Sequence, residues 1–249
     1  MATDPYIKTQ GIVLRTIPYS ETSCITNVFT RDHGIVPCLI KGIRKKTAKH
    51  KLAHFKELSI INLEIKKYKN SNLYYVVDVS INYLYAFFMC FHQDINKGCI
   101  FMFVNELINK CIRDEVNSKE LYDFVYNALM ELDQCKKVSF SFHVVFMVQF
   151  AEFFGFALNF DNYTEKSVFN ISEGILTEEI PENNLYIPSQ YVELIHKALN
   201  SKLNDPIPGC NTAEIRKNIV DYLQLFYQYH FPKFEDIKST AVLKQILRA

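Results

Sequence analysis

The chain has 249 residues, 49% of them apolar, which is ample for a packed core and excludes a disordered polymer. Its formal charge of +1 conceals two unlike parts: residues 1–80 hold 13 Lys and Arg against 6 Asp and Glu, a balance of +7, and the remainder hold 15 against 21, a balance of −6. Positive charge is therefore a property of the N-terminal third.

Seven cysteines, an odd number with no CxxC pair, argue against a secreted disulfide framework and predict reduced thiols in a cytoplasm. The opening MATDPYIKTQ has no apolar stretch of the signal-peptide kind, so no export is expected. Residues 81–104 and 138–160 are strongly apolar, but HQDINKG interrupts the first and His143, Gln149 and Glu152 lie inside the second. An ionisable side chain near mid-bilayer costs about 3 kcal/mol, so both read as buried helices of a soluble protein and no membrane is expected.

The first eighty residues carry strand signals. Gly11 to Ile17 alternates in character, and Ser23 to Thr30 and Ile35 to Lys41 flank Asp32-His33-Gly34, where Gly34 supplies the positive φ of a tight turn. Leu58 to Lys67 is rich in β-branched residues, Lys69 to Asn72 breaks it, and Leu73 to Ser80 returns as a strand. Five strands with the longest connection between the third and fourth is the plan of an OB-fold β-barrel.

That connection is the most charged stretch of the chain. Lys41 to Lys56 reads KGIRKKTAKHKLAHFK, and no acid lies between Asp32 and Glu57. Such a run is either a solvated loop or a seat for phosphates. In an OB barrel it lies near the face that carries single-stranded nucleic acid, where Arg15 and Arg31 extend the track. Tyr19, Phe29, Tyr68, Tyr74 and Tyr75 are open to two roles, barrel core or base stacking.

From residue 81 the periodicity becomes helical. Helices are expected over Ile81–Gln93 and Cys99–Arg113, broken at Lys97-Gly98, then from an N-cap at Ser118 to about Asp133, and over Lys137–Phe156 with Gly155 as terminator. Residues 157–187 are irregular, with short strands at Ser167–Ile171 and Gly174–Leu176. A helix over Pro188–Leu199, a break at Asn204 to Gly209, a long helix capped by Asn211 and Glu214 and stopped at Phe231-Pro232, and a last helix from Ser239 complete the chain. The domains are thus 1–80, the barrel, and 81–249, helical.

No GxxxxGK[ST], GxGxxG, GxSxG or HExxH motif occurs, so catalysis has no positive sign and the chain is expected not to be an enzyme. His50 and His54 are spaced to share a helical face, but their basic surroundings offer no further ligands and predict a solvated surface role rather than a metal site.

Two stretches resemble the bacterial RecO family. Lys8 to Lys45, KTQGIVLRTIPYSETSCITNVFTRDHGIVPCLIKGIRK, is similar to the family opening: a G-I-V-L-R strand, a Y-x-E turn at Tyr19 and Glu21, an F-T-R-x-x-G hairpin from Phe29 to Gly34 and a K-G-x-R-K exit from Lys41 to Lys45. Tyr222 to Leu247, YLQLFYQYHFPKFEDIKSTAVLKQIL, resembles the family's closing helices around a proline break. The resemblance implies an α+β protein: an N-terminal five-stranded OB barrel followed by a helical domain. It implies a cytoplasmic, nucleoid-associated, non-enzymatic recombination mediator that binds single- and double-stranded DNA and anneals complementary strands. It also implies work with RecR to load RecA on DNA coated by single-strand-binding protein. The matching basic positions are Arg15, Arg31, Lys41, Arg44 and Lys45; Lys46, Lys49 and Lys51 are added to the DNA-binding set from charge.

One departure stands out. Many members of the family carry a four-cysteine zinc motif in the helical domain, whereas Ala157 to Pro188 here contains no cysteine. The segment is expected to fold without zinc, around Phe160, Tyr163, Phe169 and Ile171, so no cofactor is expected. Barrel and charge alone equally allow an RNA-binding OB protein, and a third reading makes the chain mainly an adaptor whose helical domain docks partners.

Overall fold

The computed structural model describes residues 6–67, 71–83, 85, 94–112, 118–155, 160, 162–231 and 234–246. Its N-terminal part is built on β1 (Ile7–Pro18), twelve residues long, which serves two neighbours at once. Ile7 to Ile12 pairs antiparallel with β4 (Ile60–Lys67), and Gly11 to Pro18 pairs with β2 (Cys24–Thr30). A register shift between Val13 and Arg15 bends the strand from one partner to the other. Gly11 sits at this corner because a side chain there would collide with Val28.

β2 turns at Asp32-His33 into β3 (Gly34–Ile40), with Gly34 at φ 63° as its sequence demands. β5 (Tyr74–Tyr83) pairs antiparallel with β4 and parallel with β3 at Cys38↔Tyr74 and Leu39↔Tyr75, which closes the barrel in the order β1-β2-β3-β5-β4. This is the expected five-stranded OB barrel. Val13, Val28, Val36, Cys38, Ile61 and Ile65 fill its centre. Phe29 belongs to a buried face as well, so of its two open roles the structure selects core.

The chain divides into two compact units: Met1–Met89 with Ile112–Tyr126, and Cys90–Cys111 with Asn127–Ala249. The first unit thus holds a segment that the division at residue 80 places in the helical part. That segment opens α2 (Lys119–Gln134), whose N-terminal amide at Leu121 is capped by Ser118 Oγ at 3.1 Å, as expected.

The second unit contains α1 (Ile95–Cys111), α3 (Phe142–Glu152), α4 (Ser189–Leu199), α5 (Ala213–His230) and α6 (Ser239–Ile246), with a small sheet of β6 (Val168–Asn170), β7 (Ile175–Thr177) and β8 (Tyr186–Ile187) in the order β7-β6-β8. α3 is buried all round, which explains its unbroken apolar run. Among the described residues no helix is long and apolar enough to cross a membrane.

Four expectations are corrected. The helix expected from Ile81 does not start there, because Ile81 pairs with Ile61 and Tyr83 with Ile60, so β5 continues; residue 84 and residues 86–93 lie outside the described residues. The break expected at Lys97-Gly98 is absent. Asp94 Oδ1 accepts the Lys97 amide at 3.1 Å and caps α1 one turn earlier, while Lys97 Nζ, itself buried, binds the Asp133 and Cys135 carbonyls at the end of α2. α3 begins at Phe142, not Lys137, since the Ser139 amide is held by Asn204 Oδ1 at 2.7 Å outside any helix. The cap of α5 is Thr212, whose hydroxyl accepts from Ile215 N at 3.2 Å, one position after the expected Asn211. β8 has no counterpart among the expected elements: two residues are too few for a period.

Candidate nucleic-acid interface

The 41–59 connection has an apolar underside and a basic upper side. Ile43 and Phe55 are buried in the same cluster as the barrel centre, Phe55 being 1% exposed at the end of a 3₁₀ turn, Leu52–Phe55. These two side chains plug the barrel, and burying each is worth about 1.5–3 kcal/mol toward seating the loop on it.

Backbone bonds fix the rest. Arg44 N donates to Thr22 O at 3.2 Å, tying the start of the loop to the β1–β2 turn. Thr16 Oγ1 donates to Phe55 O at 2.8 Å. At the exit, Leu58 N donates to Val13 O at 2.6 Å and Val13 N to Ser59 O at 3.0 Å, at the bulge of β1, and Tyr85 Oη donates to Leu58 O at 2.8 Å. Leu58 holds φ 60° here, a left-handed conformation unusual for leucine.

With Ile43 and Phe55 drawn inward, Lys41, Arg44, Lys45, Lys46, Lys49, Lys51 and Lys56 are all exposed. They differ in what they already hold. Lys49 Nζ donates to Val77 O at 2.8 Å and pairs with Asp78 at 3.3 Å, and this contact keeps the Asp78 carboxyl below the usual carboxylate range. Lys41 Nζ lies 4.5 Å from the centre of the Tyr75 ring, a cation–π contact. Among the described residues, no carboxylate lies within pairing distance of Arg15, Arg44, Lys45, Lys46 or Lys51.

Arg31 stands elsewhere. Its guanidinium pairs with Asp123 through Nε and Nη2, and beside it Asp32 pairs with Lys119 at 3.1 Å. The two acids are held below their ordinary range, Asp123 by the Arg31 hydrogen bond and charge, Asp32 by the Lys119 hydrogen bond. The hairpin tip thus clasps the first turns of α2 through crossed ion pairs, with Tyr122 against Phe29 at 5.5 Å and its hydroxyl donating to Gln10 Oε1 at 3.1 Å. Asp123 and Lys119 lie far from the tip in sequence, and no local pattern announces them.

Of the aromatics, Tyr19 is 61% exposed on the turn that the loop touches, Tyr74 packs against the barrel cluster, Tyr75 lies under Lys41, and Tyr68 is outside the described residues. His54 is half-buried rather than solvated: its Nδ1 has no partner, and burial, His50 and Lys51 depress its pKa. Among the described residues no group of three or more His, Cys, Asp or Glu is placed to hold a metal ion. Ala157 to Pro188 offers no thiolate, so the residues present do not fit the four-cysteine zinc motif of the resemblance.

A five-stranded OB barrel bearing an outward cationic loop, joined in sequence to a helical unit with its own small sheet, defines a two-part class of basic barrel proteins. The family model of the recombination protein O N-terminal domain matches residues 1–85, and that of the C-terminal domain matches residues 92–241. The chain belongs to the RecO family. Relatives named DNA repair protein RecO include those of Phocaeicola vulgatus, 26% identical over 239 residues, Bacteroides fragilis, 27% over 241, and Flavobacterium psychrophilum, 26% over 241; each alignment covers 96% of this chain and 98% of the relative.

Proposed function

We propose that the chain is a DNA-binding and strand-annealing mediator of recombinational repair, acting with RecR to help load RecA on DNA coated by single-strand-binding protein, and that it does so without an active site. The observation that carries this reading is the 41–59 loop: Ile43 and Phe55 anchor it in the barrel while Arg44, Lys45, Lys46 and Lys51 face solvent without an acid partner among the described residues. Family membership supports the DNA repair setting.

Cations not bound to protein acids are available to phosphate oxygens. Each phosphate neutralised releases condensed counterions, which favours binding whatever the base sequence. Two strands neutralised on one surface no longer repel, and pairing then follows from the bases themselves. Lys41 on Tyr75, and the exposed Tyr19, add flat surfaces beside the charged track. We assign phosphate contact first to Arg15, Arg44, Lys45, Lys46 and Lys51, with Lys41 and Lys49 at the margins. The 157–188 segment works, on this reading, without zinc.

The test is fluorescence anisotropy with an oligothymidylate over a salt series, together with an annealing assay on complementary strands. Five phosphate contacts give a slope of about −3.5 in log K against log salt. Absence of binding at about 50 mM salt, or displacement of the DNA by a structured RNA at equal concentration, overturns the proposal.

A further inference from the structure

A groove of about 450 Å³ opens between the end of β1 and the 3₁₀ turn of the basic loop. Pro18, Leu52 and Ala53 form apolar walls, Arg44 and Lys56 stand in its lining as cations, and Glu57 is the acid among them. Its size falls within the range of about 300–1,000 Å³ usual for small-ligand sites. Pro18, Leu52 and Ala53 are exposed, Leu52 by 46%, so apolar surface is left facing water at the spot where charge is densest.

That combination is informative. A surface serving only to hold phosphates has no use for apolar walls, yet Pro18, Leu52 and Ala53 are gathered in one groove beside the lysine-rich loop. A nucleobase has what fits both parts: a flat, poorly hydrated face for Pro18, Leu52 and Ala53, and a 5′-phosphate that reaches Arg44 or Lys56. The groove is not a loose gap either. Arg44 is tied to Thr22 by its backbone, and Phe55, which closes the floor, is held by the Thr16 hydroxyl at 2.8 Å. The walls are therefore set before a ligand arrives, which lowers the ordering cost of binding.

We infer that this groove receives one unstacked base of single-stranded DNA, with Arg44 and Lys56 on its phosphate. The inference rests on the DNA-binding reading above and adds to it a source of preference for single strands. A paired base stays in its stack and presents only edges, so a duplex engages the cationic loop but leaves the groove empty. A single strand engages both.

The chain contains no tryptophan, so the emission of a 2-aminopurine placed in an oligothymidylate is read without protein background. With wild-type protein, emission rises on binding as the base leaves its stack. Ala53→Trp fills the groove and is expected to weaken single-strand binding about tenfold while duplex affinity stays within twofold, since one stacked base contributes that much. Leu52→Asn, at an exposed position, removes one wall without threatening the core and is expected to act in the same direction. Binding with emission unchanged overturns the groove assignment and leaves the general DNA-binding reading intact. So do variants that keep wild-type single-strand affinity, or that lose single-strand and duplex binding equally. Failure of wild-type protein to bind either form at low salt overturns both.

Discussion

Arg31 and Asp123, 92 positions apart, meet in a bidentate pair, Nε to Oδ1 at 2.8 Å and Nη2 to Oδ2 at 2.9 Å. Both lie on the surface, yet the fork geometry and the neighbouring Asp32–Lys119 pair at 3.1 Å make them a small crossed network rather than an isolated contact. An arginine whose charge is already met by a carboxylate attracts a phosphate less strongly than one without an acid partner.

The first prediction follows from that commitment. Arg31→Gln leaves the salt slope of DNA binding unchanged, whereas Arg44→Gln, at a cation without an acid partner among the described residues, reduces it by about 1. Asp123→Asn releases the Arg31 guanidinium and is expected to tighten binding at low salt. The measurement is anisotropy across a salt series; an Arg31→Gln slope that falls as far as that of Arg44→Gln returns Arg31 to the interface.

Phe55 is the hinge between charge and core. Phe55→Ala removes a ring that is 1% exposed and leaves a cavity at the barrel end, at a cost of about 3–5 kcal/mol. Denaturant unfolding is expected to show this as a lower midpoint with an unchanged slope, and DNA affinity is expected to fall although no cation is removed. The conservative Phe55→Leu restores most of both. Full DNA affinity in a stable Phe55→Ala variant would show that the loop holds its shape without the plug.

The barrel and its cationic loop were legible because their signals are local. A positive-φ glycine at Gly34, alternation in the strands and a run of lysines each read within a few residues. The cations of the loop and of the hairpin before it, however, look alike in sequence and differ in the fold: Lys49 is spent on Val77 O and Asp78, Arg31 pairs with Asp123, while Lys45 and Lys46 face no acid among the described residues. Partners brought in by β5 and α2 decide this, and no window of the sequence holds them. The same reason hid the start of α1. Asp94 and the buried amine of Lys97 hold a helix through Gly98, whose own propensity points the other way. The apolar groove beside Arg44 escaped too, since Pro18 and Leu52 meet only once the barrel closes.

His143 predicts a pH dependence. It is buried in α3 against Phe103, its Nδ1 has no partner, and burial, with the nearby Arg216 charge, pushes its pKa down to about 3. Between that value and the ordinary 6.5 the unfolded chain binds a proton that the folded chain refuses. Stability from this site is therefore fully present above pH about 6.5 and is lost progressively as the pH falls toward 3. Thermal unfolding between pH 7 and pH 4 is expected to show a fall that His143→Leu flattens. An equal fall in the variant would place the acid sensitivity elsewhere.

The last prediction concerns the 157–188 segment, which lacks the thiolates of a structural zinc site. Its described part has internal supports of another kind. Asn170 Oδ1 accepts from Ser172 N at 3.0 Å, Ser172 Oγ at 2.7 Å and Glu173 N at 3.3 Å, closing the β6–β7 turn, and Gly174 completes it at φ 71°. Ile171 N donates to Leu185 O at 2.9 Å, and the Ile171 carbonyl lies 2.7 Å from His230 Nε2. Phe169 and Ile171 are buried, with Phe169 against Phe226 at 5.9 Å, while Phe160 and Tyr163 pack about His196 at 4.8 and 5.0 Å. An apolar plug and a hydrogen-bonded turn are expected to do here what a metal does by tying ligands together, and neither responds to a chelator. Washing with EDTA is expected to leave the melting temperature and DNA affinity unchanged, and Phe169→Ala is expected to cost about 3–5 kcal/mol. Stoichiometric zinc in washed protein by plasma mass spectrometry, or a melting temperature that drops on chelation, would show that a metal holds this segment after all.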